Sequence, residues 1–501
     1  MNPHLLISSL VILHTSTNSF ELCSQDYPDV LHHYTEFPYP PVSVEKENIS
    51  EPPFISGPSI GEINHYIHGG KLRIEREYRI LVVGGGTGNS SLHYAYEFRK
   101  FNVEIVHLDI SEASLEIARQ RADKRGSKIR FIHNSLYNIP KLNLGKFDYI
   151  DCVGVFHHLS DVDLALRIFK DSLKDESSGL YLSLHTKEGR KGINLMRKLL
   201  HLVNEEEVDQ SLQEELEIGK MLWESLPEYH WIFFPFKHKT KILDDVSFCN
   251  KYIHKHTTSF SVNEASELIE KNGSLHLINF ADPDARIVLS QSPRNDPEFD
   301  EVMSDRTLYQ KHEIHERMYS ALSELNIFIS KDPKSSASLN DPANCVPYFY
   351  NIDPSPIFTV LSKQECGIEG IPKFINVSMA LNIGNWRDFF HPVTANTLTF
   401  YELIQLRKYT IDGILTEIGK KSAKVDFKKL KEELLSLLKV LLRHSIIVLR
   451  HSSTPDDSSF ISQPRGVIEH VRIINFELPI YTSEWPRWIP SDAKLWSQRP
   501  A

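Results

Sequence analysis

The stretch Ile80-Leu81-Val82-Val83-Gly84-Gly85-Gly86-Thr87-Gly88 joins an aliphatic, β-branched run to a helical one through a glycine loop. Glycines 84, 86 and 88 let the backbone turn sharply and let a ligand reach main-chain N–H groups without meeting a Cβ. Twenty-five positions after Gly84, Asp109 closes a second apolar run, Val103–Ile110. A carboxylate at that place can accept both hydroxyls of a ribose, in the crevice where the strand order of an open α/β sheet reverses. Asp109 also reads as the N-cap of the helix that begins at Ser111. A third run, Phe147–Phe156, ends in the paired histidines His157 and His158, groups suited to proton transfer near neutral pH. The loop spacing is G-x-G-x-G, not the G-x-G-x-x-G of nicotinamide and flavin folds, so a nicotinamide-dependent oxidoreductase fits poorly.

These residues need a parallel sheet to hold them. Short β runs at 79–83, 103–110, 129–132, 147–156 and 180–184 alternate with helical spacing at 111–125 and 161–174, the pattern of a doubly wound α/β sheet. Residues 190–260 read as a charged helical insertion. A helix at 262–271 leads into 275–280 and 286–289, which are expected to be the last strands. Residues 28–60 carry Pro38, Pro40, Pro41, Pro52, Pro53 and Pro58 among aromatic residues. Regular helix is not expected there; a rigid arm packed over the site is, with Tyr34 and Tyr39 in reach of a ligand. Residues 331–344 read as a linker, and helices at 397–418 and 427–442 precede a short strand at 446–449.

Length and composition narrow the class. The 501 residues exceed one core and imply several domains. With 41% hydrophobic and 24% charged residues the chain is globular, and its net charge of −10 argues against a nucleic-acid partner. Lys428, Lys429 and Lys431 are offset at once by Glu432 and Glu433. Five scattered cysteines form neither a disulfide framework nor a zinc pattern, so no metal and a reducing, cytoplasmic setting are expected. The apolar run Leu5–Leu13 is too short to span a bilayer and lacks a basic residue before it; it reads as a buried element rather than a signal, and no membrane association is expected.

With the glycine loop, Asp109 and the 147–161 segment in order, residues 79–185 resemble class I S-adenosylmethionine-dependent methyltransferases. The resemblance implies S-adenosylmethionine as cofactor, held by Gly84, Gly85, Gly86, Thr87, Gly88, Asp109, Ile110, Asn134, Ser135 and Val153, with His158 and His157 at the reaction centre and Thr186 nearby. Two positions depart from the family: Val82 stands where an acid often precedes the loop, and Ser135 where the third strand usually supplies an aspartate to the adenine. The flanks (Tyr34 to Pro41, His65-Tyr66-Ile67-His68-Gly69-Gly70, Gly189-Arg190, and Tyr252 to His254) resemble a narrower group. Its members have a Pro/Tyr-rich arm and a C-terminal methyltransferase regulatory region, sometimes with a winged-helix end, and rickettsial protein lysine methyltransferases share the layout. That likeness adds Tyr34, Tyr39, His65 and Tyr66 to the cofactor side and puts Arg190 and His254 on the acceptor side, where a guanidinium suits a carboxylate of cofactor or substrate.

The expected architecture is thus an α/β Rossmann-like doubly wound sheet with an inserted helical segment and a mainly helical, winged-helix-like C-terminal domain. Its divisions are 1–78 (arm and lid), 79–295 (cofactor-binding domain, insertion 190–260), 296–395 (connecting region) and 396–501. The expected function is methyl transfer to a protein side chain, lysine among the candidates, or to a small molecule. The alternative is a catalytically inactive methyltransferase-like binding protein. The C-terminal part is either an acceptor-selecting module or a cap that supports a homodimer.

Overall fold

The computed structural model describes residues 22–72, 76–204, 211–236, 241–272, 274–281, 297–319, 322–350, 352–363, 373–381, 386–420, 426–454 and 466–475. The apolar run Leu5–Leu13 and the strand expected at 286–289 lie outside them.

Seven strands build the central sheet: β1 (Tyr78–Val83), β2 (Val103–Asp109), β3 (Arg130–His133), β4 (Tyr149–Cys152), β5 (Gly179–His185), β6 (His276–Phe280) and β7 (Glu324–Ser330). Their order is β3-β2-β1-β4-β5-β7-β6. The first five are parallel; β7 runs antiparallel between β5 and β6. β1 is buried almost throughout because both its faces are covered. Leu81 and Val83 face a core shared with Phe156, Phe169 and Ile269. Ile80 and Val82 face another shared with Tyr94 and Phe98.

The helices before and between these strands are α1 (Pro28–Glu36), α2 (Ile60–Tyr66), α3 (Asn89–Glu97), α4 (Glu112–Arg125), α5 (Val162–Ser172), α6 (Lys191–Asn204), α7 (Leu212–Ser225), α8 (Asp245–Phe248) and α9 (Val262–Lys271). Local signals set their ends. Ser111 caps α4 by accepting from Ser114 N, and Gly126, at φ +65°, ends it. Asp161 caps α5 by accepting from Leu164 N at 2.8 Å. Helices α6 and α7 carry their own core around Trp223, Phe233 and Phe248, the expected insertion.

Two expectations are corrected here. Residues 28–36 are helical despite the proline content, because Pro28 sits in the first turn where its missing N–H costs nothing. The sheet does not end at 295: β7, from the stretch read as connecting region, is inserted beside β5.

Beyond it stand β8 (Cys345–Phe349), β9 (Lys373–Leu381), β10 (Trp386–Val393), β11 (Ile447–His451) and β12 (Gly466–Asn475). β9 pairs antiparallel with β10 and β12, and β11 with β8. Helices Thr397–Gln405, Ile411–Gly419 and Phe427–Arg443 close one core with these strands, built from Phe349, Ile375, Phe389, Tyr401, Ile414 and Leu438. The unit is mixed rather than mainly helical, and its core crosses the boundary drawn at 395. The 331–344 segment is irregular, as expected of a linker, yet packed: Ser335 Oγ donates to Tyr66 O at 2.7 Å and Ala337 N to His65 O at 2.8 Å. Among the described residues no helix is long and apolar enough to cross a membrane.

Candidate active site

A cavity of about 860 Å³ opens over the C-terminal ends of the parallel strands. It straddles β1 and its neighbours β2 and β4, the point where the strand order reverses.

Gly84, Gly85 and Gly86 line this cavity. Gly84 and Gly86 have φ of +62° and +53°, a conformation that glycine adopts without strain. A Cβ on Gly86 would also lie 2.3 Å from Tyr39 O, so the arm crosses the loop only because glycine is there. Thr87 and Gly88 stand behind the cavity wall. Thr87 pins the arm, its N–H donating to Tyr39 O at 3.2 Å and its hydroxyl to Pro40 O at 2.9 Å. Gly88 is the N-cap of α3. Glu47, bridging to Arg121 and Arg125 of α4, holds the arm further along.

Asp109 ends β2 and lines the cavity. Its Oδ2 accepts from Gly86 N and its Oδ1 from Ser111 N, both at 2.8 Å. The helix cap is Ser111, not Asp109. A carboxylate has about four acceptor sites, so both oxygens retain capacity for a vicinal diol. Burial raises the carboxyl's pKa, against the opposing pull of the two N–H groups.

Ile110, just after β2, and Asn134, just after β3, line the cavity, and Ser135 does not. The Asn134 carbonyl is taken by Ser135 N and Asn138 Nδ2, each at 3.0 Å. Ser135 Oγ accepts from Tyr137 N at 3.1 Å and donates to Asp26 Oδ1 at 2.9 Å. Asp26 belongs to the arm, lines the cavity, and has its pKa raised by burial.

Val153, after β4, lines the cavity, as do Tyr34, Tyr39, His157 and His158. Tyr34 OH donates to Asn250 Oδ1 at 3.0 Å, which ties the arm to the insertion. His158 Nδ1 donates to His256 O at 2.6 Å; a carbonyl can only accept, so Nε2 is the basic nitrogen of this ring. His157 stacks on His185 with centroids 3.3 Å apart, and His158 on His254 at 3.8 Å. His33 of α1 lies 4.6 Å from His254. Among the described residues no three His, Cys, Asp or Glu side chains converge as a metal ion would need. His254 and Thr186 stand outside the lining: His254 braces His158, and the Thr186 hydroxyl donates to Leu322 O.

His65 and Tyr66 are also placed away from the cavity. Leu449 N donates to His65 Nδ1 at 3.2 Å, and Tyr66 stacks on Phe328 at 4.5 Å. With Gly70, whose carbonyl accepts from His451 N at 3.0 Å, they join α2 to the C-terminal unit. The correction has a local reason: α2 packs beneath the sheet, so its side chains are spent on the core and on β11 before the chain reaches the strand ends.

Comparison with known proteins agrees with this geometry. Residues 80–176 match the family described as a methyltransferase domain. They are a methyltransferase domain, of the class I, S-adenosylmethionine-dependent kind. An uncharacterised protein of Synechococcus sp. is 29% identical over 210 residues, 41% of this chain and 49% of that one. The uncharacterised methyltransferase YcgJ of Bacillus subtilis is 29% identical over 113 residues, 22% of this chain and 43% of its own. The chain thus spans about half the length of the curated relatives it matches. In fold it is similar to PKMT2 of Rickettsia typhi, solved in complex with AdoHcy, with a TM-score of 0.54 and 16% identity over 82% of this chain and 77% of that one.

The methyltransferase domain's two departures meet nearby carboxyls. Val82 pairs in register with Asp151 of β4, whose Oδ1 accepts from Tyr94 OH at 2.6 Å and whose pKa burial raises to about 7. Ser135 is answered by Asp26. Sequence reasoning missed both. Asp151 could have been found as a charged residue inside an apolar β run; Asp26 lies 109 residues from Ser135 and carries no local signal.

The histidine cluster has a measurable consequence. Burial lowers the pKa of His33 to about 4 and of His158 to about 3, and of His157, His185 and His254 strongly. Below the ordinary value of 6.5 the unfolded chain takes up protons at these rings that the folded chain refuses, so stability is full above that pH and falls beneath it. Asp151, raised to about 7, works the other way, as do Asp26 and Asp109, whose carboxyls burial also raises. The melting temperature is therefore expected to hold between pH 8 and 7 and to drop steeply from pH 6.5 to 5; a flat profile over that range would contradict the neutral cluster.

Proposed function

We propose that this chain is an S-adenosylmethionine-dependent methyltransferase acting on a protein side chain, lysine among them, or on a small molecule. The observation that carries the reading is the Asp109 carboxylate, fixed by Gly86 N and Ser111 N at the switch point of the sheet. When bound there, S-adenosylmethionine supplies an electrophilic methyl group for in-line displacement.

The chain's own residues would do the rest. Asp109 accepts the ribose hydroxyls; Ile110 and Leu136 flank the nucleobase, and Asp26 and Asn134 face its polar edge. Gly84, Gly85 and Gly86 leave room for the amino-acid end. Tyr34 and Tyr39, carried by the arm, close the cavity against water, which strengthens every interaction inside it. His158 Nε2 accepts a hydrogen bond from the nucleophile's N–H or O–H. Its low pKa makes it an orienting acceptor rather than a store for the proton. His157 backs it. Arg190 and Lys251, both lining the cavity, disfavour an ammonium there and so favour the neutral, nucleophilic form of an amine. Cys152, Cys249 and Cys345 are free thiols, which suits a cytoplasmic enzyme.

Two experiments bear on this. Methyl-labelled cofactor incubated with the enzyme and a protein extract is expected to leave label in protein, recoverable after hydrolysis as methylated side chains. Label confined to the small-molecule fraction would overturn a protein acceptor, and no transfer to either would overturn the activity. Asp26→Ala is expected to weaken S-adenosylhomocysteine binding roughly tenfold, about 1.4 kcal/mol, by removing one charge-assisted hydrogen bond. Calorimetry showing unchanged affinity would remove Asp26 from the nucleobase pocket.

A further inference from the structure

Arg190 lies in the loop between β5 and α6 and forms part of the cavity wall. Only 7% of the residue is exposed. The guanidinium makes no hydrogen bond to any described residue. Its Nε is buried without a partner, and the carboxylate of Glu324 approaches Nη1 only to 3.7 Å, beyond hydrogen-bond reach. A guanidinium has five donors in a fixed fork, and leaving them unmet away from water is costly. Arg197, half-buried in the insertion, differs at its terminal nitrogens: although its Nε too lacks a partner, its Nη2 donates to His254 O at 2.7 Å and Thr257 Oγ1 at 2.8 Å.

The surroundings point to an anion. Lys251 is a second cation on the same wall, close enough for Arg190 to lower its pKa after burial has done so. The half-exposed Glu324 is the one acid facing them among the cavity-lining residues of this end. Of the other lining carboxylates, Asp109 ends β2, and Asp26 of the arm is held to Ser135 just after β3. In the order β2-β1-β4-β5 the end of β5 lies three strands from that of β2, about 14 Å at the usual spacing. His157 and His158, which follow β4, line the space between, and His185 ends β5 beside them; burial lowers the pKa of all three rings. The nucleoside end and the Arg190 end are therefore opposite ends of one cavity, with the imidazoles between them.

We propose that Arg190 anchors the methyl acceptor by binding an oxyanion, a carboxylate or a phosphate, that the acceptor carries near the atom to be methylated. This rests on the methyltransferase reading above. Planar, bidentate recognition is what a guanidinium offers and an ammonium does not.

The test uses the full chain saturated with S-adenosylhomocysteine and two probes, benzoate and inorganic phosphate, followed by calorimetry. Wild type is expected to bind at least one probe in the millimolar range. Arg190→Met should weaken that binding at least tenfold and Arg190→Lys by less, while S-adenosylhomocysteine affinity stays within twofold in both variants, which also certifies their folding. Equal probe binding by wild type and Arg190→Met, or no probe binding by wild type, overturns the proposal. So does a tenfold loss of S-adenosylhomocysteine affinity in Arg190→Met that vanishes with the decarboxylated analogue, since the oxyanion would then be the cofactor's own. Failure of wild type to bind S-adenosylhomocysteine at all is a separate result and strikes the methyltransferase reading instead.

Discussion

Asp109→Ala is expected to weaken S-adenosylhomocysteine binding by about 100-fold or more, from the loss of two charge-assisted hydrogen bonds worth about 3 kcal/mol together. The carboxylate does two jobs. It holds Gly86 N and Ser111 N at 2.8 Å, which shapes the loop, and its remaining acceptor sites face the cavity. Alanine loses both, so a control is needed for the first. Asp109→Asn keeps one oxygen acceptor and the side chain's shape, and is expected to fall between wild type and alanine in affinity. Calorimetric titration of the three proteins, with melting temperatures measured alongside, checks this. Near-equal affinities in folded variants would mean that the ribose lies elsewhere.

His158→Ala is expected to lower kcat about 100-fold, in line with losing a group that aligns the nucleophile, with cofactor affinity unchanged. The ring is positioned from two sides: His256 O fixes Nδ1 at 2.6 Å, and His254 stacks on its face at 3.8 Å. With its pKa lowered to about 3 by burial, His158 does not change charge across the working range. The pH profile of the variant should therefore keep the shape of the wild type, any limb belonging to the acceptor. A limb near pH 6.5 present in wild type and absent in His158→Ala would show that the ring titrates during turnover and would contradict its role as a neutral acceptor.

The parts of the site legible in the sequence are those whose cause is local. The run from Ile80 to Gly88 encodes a buried strand, a turn with positive φ and a helix start within nine residues, and Asp109 stands at the end of the next apolar run. Asp161 and Ser111 cap the two helices that the spacing at 161–174 and 111–125 predicts. What was not legible depends on contacts made across long stretches of chain. The β7 strand is separated from β5 by more than 130 residues, and its antiparallel insertion is settled by packing between β5 and β6, which no window of sequence contains. Asp26 reaches Ser135 only because α1 and the arm fold back over the strand ends. The histidine cluster gathers His33, His158, His185 and His254 from four separate segments. The resemblance puts His65 and Tyr66 on the cofactor side, whereas α2 lies under the sheet and turns them to the C-terminal unit. Pro28 shows a smaller version of the same lesson: proline content argued against helix, and position within the first turn decided the matter.

The most direct test of the central claim is a calorimetric titration of the wild-type chain with S-adenosylmethionine. One site of micromolar affinity is the predicted result. The absence of binding at cofactor concentrations up to the millimolar range, by a protein shown to be folded, would contradict it.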